Sequence, residues 1–192
     1  MSSRVRPSPS REAILEAAAE LIRTRGVDGT SIADVIAVSG TSAGAIYHHF
    51  GNKHGVVLAV AQRSVAKSLA SAMREPGTEA VSPASLFVAA TRHVAREQGT
   101  AELMVQVWSG AVADPDLKRY LMREIAGLHT AVALFIGAWC REHGVEADAH
   151  ALAETIAGLV VGFAVQRAMF DDFDEAGYVA MGARLLDAVA PG

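Results

Sequence analysis

The segment from residue 30 to residue 53 constrains the fold of this chain more than any other feature. It reads TSIADVIAVSGTSAGAIYHHFGNK, so that two short amphipathic stretches flank Gly40. Ser31 with Asp34 three positions later is a capping-box pattern, which is typical of a helix start. Glycine admits the backbone angles that a tight corner between two helices needs. The segment therefore predicts a short helix, a turn at Gly40 and a second short helix.

The second short helix begins with small residues. Ser42, Ala43 and Gly44 would let a backbone come close to base edges and phosphates, as the start of a recognition helix does in the major groove. Tyr47 and Lys53 follow at spacings that suit phosphate oxygens. The alternative is an ordinary surface helix pair in which Tyr47 is half buried. The predicted DNA-contacting residues are Thr30, Ser31, Thr41, Ser42, Ala43, Gly44, Tyr47, His48 and Lys53.

The segment 11–58 resembles the DNA-binding domain of TetR-family transcriptional regulators. The matching residues are Ile14, Leu15, Ala17, Ala18, Leu21, Gly26, Thr30, Ser31, Val35, Gly40, Ser42, Gly44, Ile46, Tyr47, His49, Phe50 and Lys53. Two positions depart from the common pattern, Ser39 where alanine is usual and Thr41 where valine is usual. Thr41 or Ser42 is expected to cap the second helix, and a polar Thr41 offers an additional contact to a phosphate or a base.

The rest of the chain predicts helices, since its apolar residues recur at helical spacing and no strand-like alternation occurs. We expect an all-α protein of about nine helices. An N-terminal helix-turn-helix domain would occupy residues 1–53, with a disordered arm at 1–8. Arg4 and Arg6 in that arm could reach the adjacent groove of DNA, although a merely solvated tail is an equal alternative. Residues 54–192 would form a helical effector-binding and dimerisation domain.

Charge is distributed unevenly along the chain. The formal net charge is −4, which taken whole argues against a nucleic-acid binder. Residues 1–53 nevertheless carry +1 and residues 54–192 carry −5. Because the reader is only weakly basic, we expect its DNA affinity to require dimerisation and close backbone contacts rather than a large cationic patch.

Neither a membrane span nor a signal peptide is expected. The longest apolar run, Ile156–Val165, is shorter than the roughly 20 residues that a membrane helix needs. The first ten residues contain no apolar stretch of the signal-peptide type. Cys140 is the single cysteine, which fits a reducing compartment. These features predict a cytoplasmic protein.

The last two helices are apolar around most of their circumference and rich in small residues. Such helices must be buried on two sides, once in their own domain and once against another surface. A twofold partner is the simplest second surface, and the TetR resemblance implies the same dimer; the alternative is a well-buried monomeric core. The predicted interface residues are Ala151, Gly158, Gly162, Tyr178 and Leu185.

Large and polarisable side chains accumulate in the middle helices. Aromatic and methionine side chains suit an adaptable apolar cavity, and a few polar groups would orient a ligand in it. Residue by residue, ordinary core packing is the better interpretation. The TetR resemblance nevertheless implies a small-molecule pocket here. The candidate ligand-binding residues are Met104, Trp108, Met122, His129, Phe135, Trp139, Phe163 and Arg167.

Enzyme chemistry has one candidate cluster, formed by Cys140, His143, Glu146, Asp148 and His150. A structural zinc site normally uses four ligands with more cysteine, and these residues straddle a helix end where charged residues are expected. No phosphate-binding glycine loop, nucleophile elbow or zinc-protease helix occurs. We therefore expect no catalytic residue, no cofactor and no metal site.

These observations predict a TetR-like homodimeric transcriptional regulator, with repression favoured over activation. It would bind palindromic double-stranded operator DNA, and a small apolar or amphipathic effector would release it. An alternative is a DNA-binding regulator that has no small-molecule ligand and acts through a partner protein.

Overall fold

The structure is a computed structural model that describes residues 9–72 and 82–189, with side chains described for 11–63 and 82–189. Within these residues the chain forms nine α-helices and no β-strand, which confirms the all-α prediction. Arg4, Arg6 and the rest of the predicted arm lie outside the described residues. The helices are α1 (Pro9–Arg25), α2 (Ile32–Ser39), α3 (Ala43–Phe50), α4 (Lys53–Ala72), α5 (Pro83–Arg96), α6 (Thr100–Ala113), α7 (Pro115–His143), α8 (Ala149–Met169) and α9 (Glu175–Val189).

Several helix starts follow directly from capping side chains. Ser82 caps α5 by accepting a hydrogen bond from the Ser85 N–H at 3.2 Å. Asp148 caps α8, where its Oδ1 accepts from the N–H groups of His150 at 2.9 Å and Ala151 at 3.1 Å. Such caps satisfy backbone donors that have no partner inside the helix. Because the cap is encoded next to the helix it starts, these boundaries were predictable.

The chain divides into two compact units. The N-terminal unit contains the described residues up to Ser64 together with Gln106–Leu121, and the C-terminal unit contains the remaining described residues. The N-terminal unit thus extends beyond the predicted boundary at residue 53. It includes the first part of α4, the second half of α6 and the first turns of α7.

The core of the N-terminal unit is built by α1 and the helix-turn-helix. Helix α1 packs against α2 and α3. Gly110 of α6 also lies close to this core, because a Cβ at Gly110 would come within 2.7 Å of the Val27 side chain. The buried apolar residues of this unit include Ile14, Leu15, Ala18, Leu21, Ile22, Val35, Ile46, Val56, Val57, Val60 and Leu117.

The C-terminal unit is organised around α5, which packs against both α8 and α9. One buried cluster includes Phe87, Ile136, Trp139, Leu152, Ile156 and Leu186. A second cluster contains Val94, Ala101, Phe163 and Ala164. Helices α7 and α8 are long and apolar enough to cross a membrane by length and composition alone. Core helices of proteins outside membranes share that property.

Candidate DNA-binding surface

Helix α2 begins with a complete capping box. The Ser31 hydroxyl accepts from the Asp34 N–H at 3.1 Å, and the Asp34 carboxylate accepts from the Ser31 N–H at 2.9 Å. Hydrogen bonds from the Ser31 hydroxyl and then from its backbone N–H lower the pKa of Asp34. The helix ends at Gly40, whose φ of 66° and ψ of 13° are left-handed. The predicted capping box and glycine turn are both confirmed.

Helix α3 presents one face to the surface and anchors the other. Ser42 is the N-cap, since its hydroxyl accepts from the Ala45 N–H at 3.2 Å, which decides between the two predicted caps. Ile46 is fully buried. Tyr47, the next residue, is 55% exposed. Ser42, Ala43, Gly44 and His48 are exposed as well, so the structure brings these predicted residues together on one surface.

The two residues that depart from the family pattern contact each other. The hydroxyl oxygens of Ser39 and Thr41 lie 2.8 Å apart, and the Thr41 N–H donates to the Ser39 hydroxyl at 3.3 Å. Thr41 is half-buried. Its hydroxyl therefore has a partner inside the turn, which stabilises the corner between α2 and α3.

Thr30 requires a correction. Its side chain is only 4% exposed, and its hydroxyl donates to the Gly26 carbonyl oxygen at 2.8 Å. A buried side chain cannot contact DNA in this conformation, so Thr30 closes the loop between α1 and α2 instead. Ser31, the next residue, remains exposed.

The corner between α3 and α4 is unusually tight. Lys53 is the first residue of α4 and is half-buried. The Asn52 side-chain oxygen accepts from the Gly55 N–H at 2.9 Å. A Cβ at Gly55 would lie 1.9 Å from the Phe50 carbonyl oxygen, far inside van der Waals contact. The first turn of α4 therefore rests directly on the last turn of α3, and only glycine permits this approach.

A hydrogen bond between the side chains of His54 and Asp114 is a feature that the sequence did not predict. His54 Nε2 lies 2.7 Å from Asp114 Oδ2, and both side chains are about 30% exposed. Asp114 is also the capping residue of α7, with its Oδ1 accepting from the N–H groups of Asp116 and Leu117. The bond from the Leu117 N–H is the largest cause that lowers the pKa of Asp114. No local pattern signals the pair, because His54 and Asp114 are 60 positions apart in the sequence.

The candidate ligand-binding residues differ in burial and in the residues that they contact. Trp139 is buried in the first C-terminal cluster and stacks on His143 with ring centroids 4.5 Å apart. Phe163 is buried in the second cluster, where Met104 packs beside it and Phe173 and Tyr178 contact its ring.

The other candidates have different environments. Arg167, partly buried, pairs with Glu175 and donates to the Ala95 carbonyl oxygen at 3.1 Å. Met122 and Phe135 are 36% and 41% exposed. His129 is half-buried, and Trp108 belongs to the N-terminal unit. The pocket stays a prediction.

The predicted dimer residues fall into two groups. Ala151, Gly158 and Leu185 are exposed, Leu185 by 57%. Gly162 and Tyr178 instead contact each other within the protomer: a Cβ at Gly162 would come within 2.8 Å of the Tyr178 hydroxyl. That hydroxyl donates to the Leu159 carbonyl oxygen at 2.9 Å, and burial raises the Tyr178 pKa. Gly162 therefore serves α8–α9 packing, whatever further role it has.

The possible metal or thiol cluster is dispersed. Cys140 is buried, whereas His150 is exposed and lies 3.8 Å from Glu154. Among residues 9–72 and 82–189, no group of three or more histidine, cysteine or acidic side chains is placed to hold a metal ion.

A capped short helix, a glycine corner and a second helix with an exposed leading face define a helix-turn-helix regulator. Residues 14–60 match the sequence model of the tetR family of bacterial regulatory proteins. Residues 83–191, more than half of the chain, match that of the C-terminal domain of BetI-type transcriptional repressors. The chain belongs to the TetR family. Both matched groups are regulators rather than enzymes.

Curated relatives align with only part of the chain. The HTH-type transcriptional repressor AcnR of Corynebacterium glutamicum is 36% identical over 72 residues, which is 38% of each protein. The uncharacterised HTH-type regulator YvdT of Bacillus subtilis is 36% identical over 58 residues, 30% of each. The chain thus spans well under half the length of the curated relatives it matches.

Solved structures match the fold over nearly the whole chain. Salmonella enterica GusR has a TM-score of 0.81 at 20% identity and full coverage of both chains. A TetR-family regulator from Rhodococcus sp. has a TM-score of 0.80 at 23% identity, covering 96% of this chain and 100% of its own. A transcriptional regulator from Saccharomonospora viridis, solved in complex with choline, has a TM-score of 0.69 at 22% identity, covering 94% and 97%. At these identities the likeness shows the fold alone.

Proposed function

We propose that this protein is a cytoplasmic homodimeric repressor that binds a palindromic operator through α3 and is released by a small-molecule effector. The observation that carries the proposal is the surface of α3. Its leading residues are small and exposed, while Ile46 on the opposite side is fully buried. A rigidly anchored helix with a small leading face is suited to enter the major groove.

Recognition of DNA would combine two kinds of contact. Ser42 and Ala43 at the start of α3 would face base edges, where short side chains allow close approach. Tyr47, His48 and Lys53 would bind phosphates, which fixes the position of α3 on the duplex. Because residues 1–53 carry a net charge of only +1, one such unit would bind weakly. Two units bound to successive major grooves, roughly 34–36 Å apart, would supply the missing affinity.

Dimerisation would use the exposed side of α8 and α9. Helix α8 exposes Val165 by 40%, and α9 exposes Met181, Leu185 and Val189 by 54%, 57% and 59%. Gly158 lies two helical turns before Val165 on α8, and a Cβ there would have no heavy atom within 4 Å. A partner helix could therefore approach closely at Gly158 while the large apolar side chains are buried around it.

The effector would bind within the C-terminal unit. The methionine and aromatic side chains around Phe163 supply an adaptable apolar lining. Arg167 follows Phe163 by one helical turn on α8, and its side chain, which pairs with Glu175, is 30% exposed. One regulator of the same fold was solved in complex with choline, so choline is among the compounds to test first. An effector that favours a geometry unable to bind DNA lowers the affinity of the protein for its operator. By thermodynamic linkage, bound operator DNA lowers the affinity for the effector by the same factor.

The first step of the test identifies the DNA sequence that the protein binds. Purified protein would select duplexes from a random library, and binding of the enriched sequence would be followed by fluorescence anisotropy. We expect an inverted repeat, bound by two protomers. Failure to enrich any sequence would contradict the proposed function.

The second step would screen choline and a panel of small amphipathic molecules for thermal stabilisation of the protein. A stabilising compound should also lower affinity for the enriched duplex. Stabilisation without any change in DNA affinity would leave a binding site without induction.

A further inference from the structure

One carboxylate in the N-terminal unit performs two tasks. Asp114 Oδ1 accepts from the N–H groups of Asp116 at 2.9 Å and Leu117 at 3.1 Å, and so starts α7. Its other oxygen, Oδ2, lies 2.7 Å from His54 Nε2 in the first turn of α4. The start of the longest helix is thereby joined to the residue that follows Lys53.

The contact continues from α4 to the DNA-facing helix. Gly55, next to His54, lies so close to the Phe50 carbonyl oxygen that a Cβ would come within 1.9 Å of it. Phe50 is the last residue of α3, and the Arg11 guanidinium of α1 stands 5.6 Å from its ring centroid. A displacement of the first turn of α4 must therefore displace the end of α3 or break this corner, because packed backbone is not compressible.

We propose that Asp114 and His54 are positioning residues for DNA binding. Through the hydrogen bond between their side chains they fix the α3–α4 corner and hold the Lys53 ammonium where a phosphate is bound. This inference rests on the proposed operator binding, and neither residue touches DNA itself. It assigns an indirect influence on DNA binding to residues 114–117, which lie beyond the predicted domain boundary at residue 53 but belong to the N-terminal unit.

A second capping aspartate provides a matched control. Asp148 starts α8 with the same pattern, its Oδ1 accepting from the N–H groups of residues two and three positions later. It lies in the C-terminal unit. Asparagine is as good an N-cap as aspartate, so Asp114→Asn and Asp148→Asn should have equal effects if Asp114 is only a cap.

The experiment measures affinity and its salt dependence for full-length His54→Ala, Asp114→Asn, the double variant and Asp148→Asn. The probe is the duplex that the wild-type protein enriches from a random library. We expect His54→Ala and Asp114→Asn each to lower affinity about fivefold to tenfold and the salt slope by about one per half-site. The double variant should be no weaker than His54→Ala alone, since both changes remove the same pair. Asp148→Asn should keep the wild-type affinity and slope.

Two further variants separate positioning from general damage. Lys53→Ala combined with His54→Ala should lower the salt slope no further than Lys53→Ala alone. His54→Gln, whose amide can still donate to Asp114, should recover most of the affinity. Thermal unfolding of each variant checks that the fold is kept.

An unchanged salt slope in folded His54→Ala, or additive losses with Lys53→Ala, would overturn the inference. If the wild-type protein itself enriches no duplex, the proposed function fails instead.

Discussion

The helix-turn-helix and the α8–α9 pair are both surfaces for which we propose a partner, yet they are built in opposite ways. The exposed side of α3 begins with a serine, an alanine and a glycine, whereas α8 and α9 expose Val165, Met181, Leu185 and Val189. The first surface suits a polar ligand that is recognised through close backbone approach. The second suits a partner that removes apolar area from water. Two proposed interfaces within one chain can therefore be distinguished by the size and polarity of their exposed residues.

The largest effect is expected at the corner behind the α3 surface. Gly55→Ala places a methyl group 1.9 Å from the Phe50 carbonyl oxygen, so the backbone must shift. Overpacking of this kind costs about 1 to 3 kcal/mol, and we expect the upper end together with loss of DNA binding. Urea unfolding and anisotropy would measure both.

Gly127→Ala is the control for that substitution. Gly127 lies inside α7, and a Cβ there would meet no heavy atom within 4 Å. Alanine should stabilise this exposed helix position by about 0.5 to 1 kcal/mol. Equal effects at Gly55 and Gly127 would show that the close approach to Phe50 is not a constraint in solution.

The next effect concerns the apolar surface. Leu185→Glu should produce a monomer in analytical ultracentrifugation, because Leu185 is 57% exposed in the protomer and a buried charge would oppose association. A hot-spot residue contributes about 2 kcal/mol or more, and a twofold interface contains it twice. Protomer folding should be little affected.

Leu134→Glu on α7 is the matched substitution, since Leu134 is 71% exposed on a helix outside the proposed interface. This variant should stay dimeric. A Leu185→Glu dimer as tight as the wild type would move the interface away from α9.

The two surfaces also differ in how far the sequence reveals them. The capping box of Ser31 and Asp34 and the turn at Gly40 were predictable because each is encoded within a few residues. The starts of α5 and α8 follow from the capping residues Ser82 and Asp148 in the same way. A local pattern also made Thr30 a DNA-contacting residue, although its side chain is buried and bonded to Gly26. The pattern around Thr30 places this residue next to the start of α2, but it does not show that the side chain points into the core.

Local sequence patterns do not predict contacts between residues that are far apart in the chain. No pattern links His54 with Asp114, and the role of Gly55 appears only when the Phe50 carbonyl is seen against it. Gly162 looked like a residue for close approach of a partner, but it first accommodates Tyr178 of its own chain. Small residues indicate close packing without saying which surface comes close.

A smaller effect should distinguish base contacts from phosphate contacts on α3. Tyr47→Phe removes one hydroxyl from a side chain that is 55% exposed. A neutral hydrogen bond contributes about 0.5 to 1.5 kcal/mol, so affinity should fall a few-fold for every sequence alike. Ser42→Ala should instead change which bases the protein enriches, and it would also weaken the α3 cap. If Tyr47→Phe changed base preference, the assignment of Tyr47 to phosphates would be wrong.

The smallest expected effect is on the pH dependence of the stability of each unit. Hydrogen bonds lower the pKa values of Asp34 and Asp148 below the usual 3.8, Asp34 chiefly through Ser31 and Asp148 chiefly through the Ala151 N–H. A carboxyl whose pKa is lower in the folded state adds stability above its unfolded pKa, and this is lost as pH falls through the folded pKa. Both carboxylates are exposed, so each contribution is small.

Trp108 lies in the N-terminal unit and Trp139 in the C-terminal unit, so variants that keep one tryptophan report on each unit separately. Between pH 5 and pH 3 the free energy of unfolding that Trp108 fluorescence reports should decrease less in Asp34→Asn than in the wild type. Asp148→Asn should have the same effect on the value that Trp139 reports. If either substitution changed the Trp108 and Trp139 values equally, the two units would unfold in one cooperative transition. The two units would then differ in their exposed surfaces but not in their stability.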